Sequence, residues 1–104
     1  MTNQTFSKLA LAFPNTTEQP HFEKRSFRLH KKIFATLDEV KQHACIKLDE
    51  ISQSVFSSTV PGIIYPVNNK WGKQGWTIVA LTKVNKELVE EMLQVSVKLI
   101  LMKK

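Results

Sequence analysis

Apolar residues recur at Phe6, Leu9, Ala10 and Phe13, the spacing of one helical face, and Pro14 ends the run. Residues 15–20, rich in Asn, Thr, Gln and Pro, read as a loop. The period then changes to two. Phe27 and Leu29 share one side of a strand and Arg28 takes the other. His30, Lys31 and Lys32 interrupt, and Ile33, Ala35 and Leu37 resume the alternation, which predicts a hairpin with a basic tip. Asp38 to Gln42 is a second polar turn, after which Ala44, Ile46 and Leu48 alternate with Cys45 and Lys47 in a third strand. Asp49 is suited to cap a short helix through Ile51, Val55 and Phe56 that breaks at Pro61-Gly62. Ile63 to Tyr65 suggests a brief strand, Pro66 to Gly75 a loop, and Trp76 to Leu81 a further strand.

The last element has the strongest signal. Asn85 caps a helix in which Leu88, Met92 and Leu99, with Val89, Leu93 and Ile100, form an apolar stripe. Glu87, Glu90 and Glu91 near its start and Lys103 and Lys104 at its end complement the helix dipole. The economical arrangement is α+β: an antiparallel meander plus one or two further strands, packed with N-terminal, middle and C-terminal helices. We expect one domain over residues 1–104.

Charge adds a functional hint. The net charge is +6, and the excess sits in two segments. Residues 21–35 hold Lys24, Arg25, Arg28, Lys31 and Lys32 against Glu23 alone, and residues 67–86 hold Lys70, Lys73, Lys83 and Lys86 with no acid. Clustering of this kind suggests an anionic partner, although mild basicity also serves solubility. No apolar run approaches the ~18 residues of a membrane span. The opening Met1-Thr2-Asn3-Gln4-Thr5 lacks the features of a secretory leader, and Cys45 is the single cysteine, so a cytoplasmic setting without membrane attachment is expected.

The stretches PHFEKRSFRLHKKIFATL, ACIKLD, YPVNNKWGKQGWTIVAL and SVKL resemble, in order, the MmcQ/YjbR family. Within them, Lys32-Ile33-Phe34-Ala35 is similar to the family's strand after a hairpin, and Lys70 to Trp76 to its lysine- and glycine-bearing loop. The resemblance implies a double-wing α+β fold and a DNA-binding role. Two departures stand out. His30 and Lys31 occupy a hairpin tip where the family often has glycine, and Val97 stands where it usually has tyrosine.

Two constellations could serve such a role. Lys31 and Lys32 at the hairpin tip suit non-specific phosphate contact, assisted by Arg25 and Arg28, though lysines at exposed tips also keep sheets from pairing with other chains. In the second, Lys70 and Lys73 flank Trp71, and Trp76 follows Gly75. Cations interleaved with aromatics suit nucleic acid, since charge holds the backbone while an indole stacks on a base. Trp76 opens a strand and is more readily a core residue than a contact, and the glycines permit either a tight turn or a close backbone approach.

His21, His30 and His43 lack metal-ligand spacing, and no cofactor is expected. His43 and Cys45 share a strand side, which is the one local nucleophile–base suggestion, but no pair stands out for acid–base work. The sequence therefore points to a non-enzymatic DNA-binding domain with poor sequence selectivity, monomeric or weakly dimeric. The alternative is a domain that binds a protein or a small acidic ligand in a cleft beside the Trp71 loop.

Overall fold

The computed structural model describes residues 1–102. Helix α1 (Asn3–Leu11) leads into strands β1 (Thr16–His21), β2 (Lys24–Leu29), β3 (Lys32–Asp38) and β4 (His43–Lys47). Helix α2 (Glu50–Thr59), strand β5 (Ile64–Pro66), the single-turn helix α3 (Lys70–Lys73), strand β6 (Trp76–Ala80) and helix α4 (Lys86–Met102) follow. The strands form one antiparallel sheet of order β1-β2-β3-β4-β6-β5. The architecture is the expected α+β one. Lys103 and Lys104, assigned above to the last helix end, lie outside the described residues.

The core lies between one sheet face and the helices. Phe27, Ala35, Leu37, Ala44, Ile46 and Val79 pack against Phe6 and Ala10 of α1, Phe56 of α2, and Val89, Met92 and Leu93 of α4. The Phe6 and Phe27 rings meet edge to face at 5.6 Å. Phe27 pairs with Ala35 but Arg28 pairs with Ile33, so Phe34 is the extra residue of a bulge in β3. Ser96 of α4 donates to the carbonyl of Phe34 at 3.1 Å, which gives the bulged backbone a partner and explains a buried serine in the helix's apolar face.

Three expectations need correction. Residues 15–20 are not a loop throughout, because Thr16 to His21 form the edge strand β1. Its side chains are largely exposed, so no apolar alternation marks it, and an edge tolerates Pro20. The loop from Pro66 to Gly75 contains α3, whose cap is the Asn69 side chain accepting from the Trp71 amide at 2.8 Å. In α2, Ile51 and Val55 face outward and Gln53 faces inward beside Phe56. The Asp49 cap is as expected, accepting from the Ser52 amide at 3.3 Å. Hydrogen bonding from the Ser52 side chain, with a smaller share from this amide, holds the Asp49 carboxyl below its ordinary value.

Leu29 pairs with Lys32, so His30 and Lys31 alone connect β2 to β3. Both take left-handed backbone conformations, with φ of 52° and 65°, as a type I′ turn demands. A side chain there costs roughly 1 kcal/mol relative to glycine. Lys31→Gly is therefore expected to stabilise the domain by about 0.5–1 kcal/mol in urea unfolding. A destabilised variant would show that Lys31 makes a stabilising contact.

Candidate nucleic-acid interface

Strand direction decides which basic residues meet. β2 runs toward the His30–Lys31 turn and β3 away from it, while β4 runs back and ends at Lys47, opposite Trp76 at the start of β6. The hairpin tip, the end of β4 and the α3 segment thus share one end of the sheet. From β3 to β6 is two strand spacings, about 10 Å. That is about one Debye length at 0.1 M salt, so exposed charges along this end reinforce one another mainly at lower salt.

At the tip, Lys31 and Lys32 are exposed. Arg28 lies on the sheet face away from the core, and its Nε donates to Ser26 Oγ at 3.2 Å. Arg28, His30 and Lys31 line an open depression of about 460 Å³ together with Thr17 and Gln19 of β1.

The other half of the site is fastened to the sheet by backbone and amide contacts. Gln53 Nε2 donates to the carbonyls of Gly72 (2.9 Å) and Trp76 (3.1 Å) and to Thr77 Oγ1 (3.1 Å). The Leu48 amide donates to the Gly75 carbonyl at 2.9 Å. Lys47 Nζ donates to the carbonyls of Gln74 and Leu48. Both glycines of the segment are close approaches: a Cβ would sit 1.8 Å from the Val67 oxygen at Gly72 and 1.7 Å from the Leu48 oxygen at Gly75. Gly75 also has φ +107°, so turn and approach coincide there. Trp71 is 49% exposed, with Lys70 Nζ 5.8 Å from its ring centroid. Trp76 is half-buried rather than a core residue.

Lys47 joins the halves. With Lys32, Trp76, Ser96 and Leu99 it lines a cleft of about 260 Å³ between the sheet end and α4. The alternation in β4 puts Lys47 on the polar side, but its place opposite Trp76 depends on the long-range β4–β6 pairing, which no local pattern reveals. Among the described residues, ion pairs engage Arg25 with Glu18 and Glu39, and Lys86 with Glu90; Lys31, Lys32, Lys70 and Lys73 are in none. Asp49 and Glu50 share this end of the fold and offset part of its charge.

Arg25 does not join the row. It lies near the other end of β2, where Nε and Nη2 grip Glu18 at 2.7 and 2.6 Å, and Glu39 adds a contact at 3.6 Å. The hydrogen bonds to Glu18 raise its pKa further, so its charge is fixed and locally neutralised.

His21 and His43 lie toward that far end and His30 at the near one, so the histidines do not converge. Asp38, His43 and Cys45 do line one small depression of about 100 Å³. Among the described residues no hydrogen bond links His43 to Cys45. Burial pushes the Cys45 thiol up to about 11, against a smaller downward pull from Lys24. Such a thiol is protonated at neutral pH and a weak nucleophile. Among the described residues no helix is long and apolar enough to cross a membrane.

The YjbR family model matches residues 11–99 of the chain. Among solved structures, a Deinococcus radiodurans protein with a DUF419 domain superposes with a TM-score of 0.85 at 22% identity, over 98% of this chain and 80% of that one. A Pseudomonas syringae protein superposes with a TM-score of 0.73 at 18% identity, over 95% of this chain and 98% of that one. No curated protein matches.

Gly75→Ala is expected to cost more than about 3 kcal/mol, because a backbone oxygen blocks the new methyl. Gly62→Ala has φ +82° but nothing within 4 Å, so strain alone, about 1 kcal/mol, applies. Urea melts of the two variants distinguish a close approach from a mere turn; equal losses would contradict it. Alkylation of Cys45 by iodoacetamide at pH 7.5 is expected to run roughly a hundredfold slower than for an unhindered thiol and to catch up in denaturant. A native rate within a few-fold of the free thiol would show an exposed, activated cysteine.

Proposed function

This chain belongs to the YjbR family, and on that premise we propose that it is a non-enzymatic, cytoplasmic DNA-binding domain that holds the duplex by its phosphates. One observation carries this reading: two basic segments far apart in sequence reach the same end of the sheet, with Lys47 between them. Lys31, Lys32, Lys70 and Lys73 would each contact phosphate, with Arg28 assisting from the hairpin's outer face. Lysine gives a mobile, hydrated point charge that suits backbone contact without a fixed register. Trp71, exposed on α3, is placed to stack on or wedge against a base.

Base selectivity should be weak. Of the helices that reach this end, α3 has four residues and cannot present a row of side chains along a major groove, and α2 begins with Glu50 and turns Ile51 and Val55 outward, a face without basic or amide side chains. α4 is committed to the core by Val89, Met92, Leu93 and Val97. Trp76 contributes by supporting the segment rather than by meeting the duplex, since it is half-buried against α4.

If four phosphates are neutralised, log K for a labelled duplex falls against log salt with a slope of about −3.6. Lys31→Gln and Lys73→Gln should each weaken binding and make the slope shallower by about 0.9, whereas Arg25→Gln should leave the slope unchanged. Absence of any duplex binding at low salt, or a slope that responds to Arg25 as much as to Lys73, overturns the reading.

A further inference from the structure

The Gln53 side chain has a task left over after it fastens α3. Its nitrogen end is fixed by chemistry as well as by distance. The Thr77 hydroxyl gives its proton to the Gly75 carbonyl at 2.9 Å, so it turns only lone pairs toward Gln53. The carbonyls of Gly72 and Trp76 are acceptors too. Three acceptors around one end of the amide require that end to be the NH2 group, which excludes the flipped orientation. The oxygen end is thereby directed elsewhere. Gln53 is only 8% exposed, yet its Oε1 accepts no hydrogen bond among the described residues and is not closed off from solvent. The residue lines an open groove of about 740 Å³ between α2 and the β5–α3 segment.

The remaining walls of that groove are mixed, with Pro66 and Val67 apolar and the rest mostly polar. Lys70 and Lys73 supply two cations, Glu50 a carboxylate, and Asn68 and Asn69 two amides. The Asn69 oxygen already accepts from the Trp71 amide, which leaves its nitrogen as a donor. The groove therefore pairs one fixed acceptor, the Gln53 oxygen, and an exposed carboxylate, Glu50, with a cationic rim. A ligand that matches it carries a planar group with N–H donors and an anionic group within one residue's length. We propose that the groove binds a single nucleotide, its base donating an N–H to Gln53 Oε1 and its phosphate held by Lys70 and Lys73.

Two sources offer this chemistry. One is an unpaired nucleotide swung out of a duplex, since a stacked and paired base has its N–H groups engaged. That source rests on the DNA-binding reading above. The other is a free nucleoside monophosphate, which does not. Guanine, with adjacent N–H donors on one edge, suits the two acceptors Gln53 and Glu50.

The test is a two-dimensional 15N–1H NMR titration of the full chain with four probes: a perfect duplex, the same duplex with one bulged guanine, free dGMP, and inorganic phosphate. The bulged duplex, dGMP or both should shift the Gln53 side-chain NH2 and Gly72 amide signals in a saturable way. The bulged duplex should also bind about tenfold more tightly than the perfect one, the worth of one accommodated base. Unmoved Gln53 signals with both nucleotide probes overturn the proposal, as does an identical pattern with phosphate alone. If the perfect duplex shifts Lys31 and Lys73 while neither the bulge nor dGMP moves Gln53, the groove fails and the DNA interface stands. If dGMP shifts the groove while no duplex binds, the interface fails and the groove stands.

Discussion

The amide of Gln53 holds the basic end of this domain together. Helix α2 starts at a fixed point because Asp49 caps it, and one turn later Gln53 reaches across to Gly72, Trp76 and Thr77. A single side chain thus ties α2, α3 and β6. The two glycines make the contact feasible, since any Cβ at Gly72 or Gly75 would collide with a backbone oxygen. Lys47 closes the arrangement by bonding the carbonyls at the end of the α3 segment. Without these contacts Lys70, Trp71 and Lys73 would be held to the sheet only by the β5–β6 pairing and the Val67–Trp76 backbone bond. Buried amides with every donor satisfied specify geometry in a way that apolar packing does not.

The hairpin tip carries a local conflict of its own. The β2–β3 turn places His30 and Lys31 in the left-handed region, where glycine would be more stable. A lysine at such a position contributes charge at the tip at some expense in backbone energy. The same left-handed backbone recurs at Asn15, Phe22 and Gln42, the last two at the opposite end of the sheet, so it belongs to the tight turns in general rather than to the basic end. The Ser96 bond to the Phe34 carbonyl is different in kind, because it repairs a bulge inside the core and has no counterpart on the basic end.

Much of the fold was legible along the chain, and the reasons are local. The period-two alternation around Phe27, Leu29, Ile33 and Leu37 marks a half-buried hairpin, and Asp49 and Asn85 mark helix starts. What escaped local pattern did so for physical cause. β1 has two wet faces and so no alternation, and α3 is one turn long with no apolar stripe. Gln53 looks like an ordinary polar helix residue until its partners, more than a turn of sequence away, are in place. Lys47 meets Trp76 only through the β4–β6 pairing, and Arg25 is withdrawn from the basic set by Glu18 across the β1–β2 ladder. The charge clusters were visible in the sequence, whereas their convergence on one end is a property of strand direction.

The claim that one end of the sheet engages the duplex is read most directly by lysine methylation footprinting with mass spectrometry, with and without DNA at low salt. Duplex should protect Lys31, Lys32, Lys70 and Lys73 together, while Lys24, Lys41 and Lys83, placed toward the opposite end, stay reactive. Uniform protection of both groups, or protection confined to Lys24, Lys41 and Lys83, would contradict it.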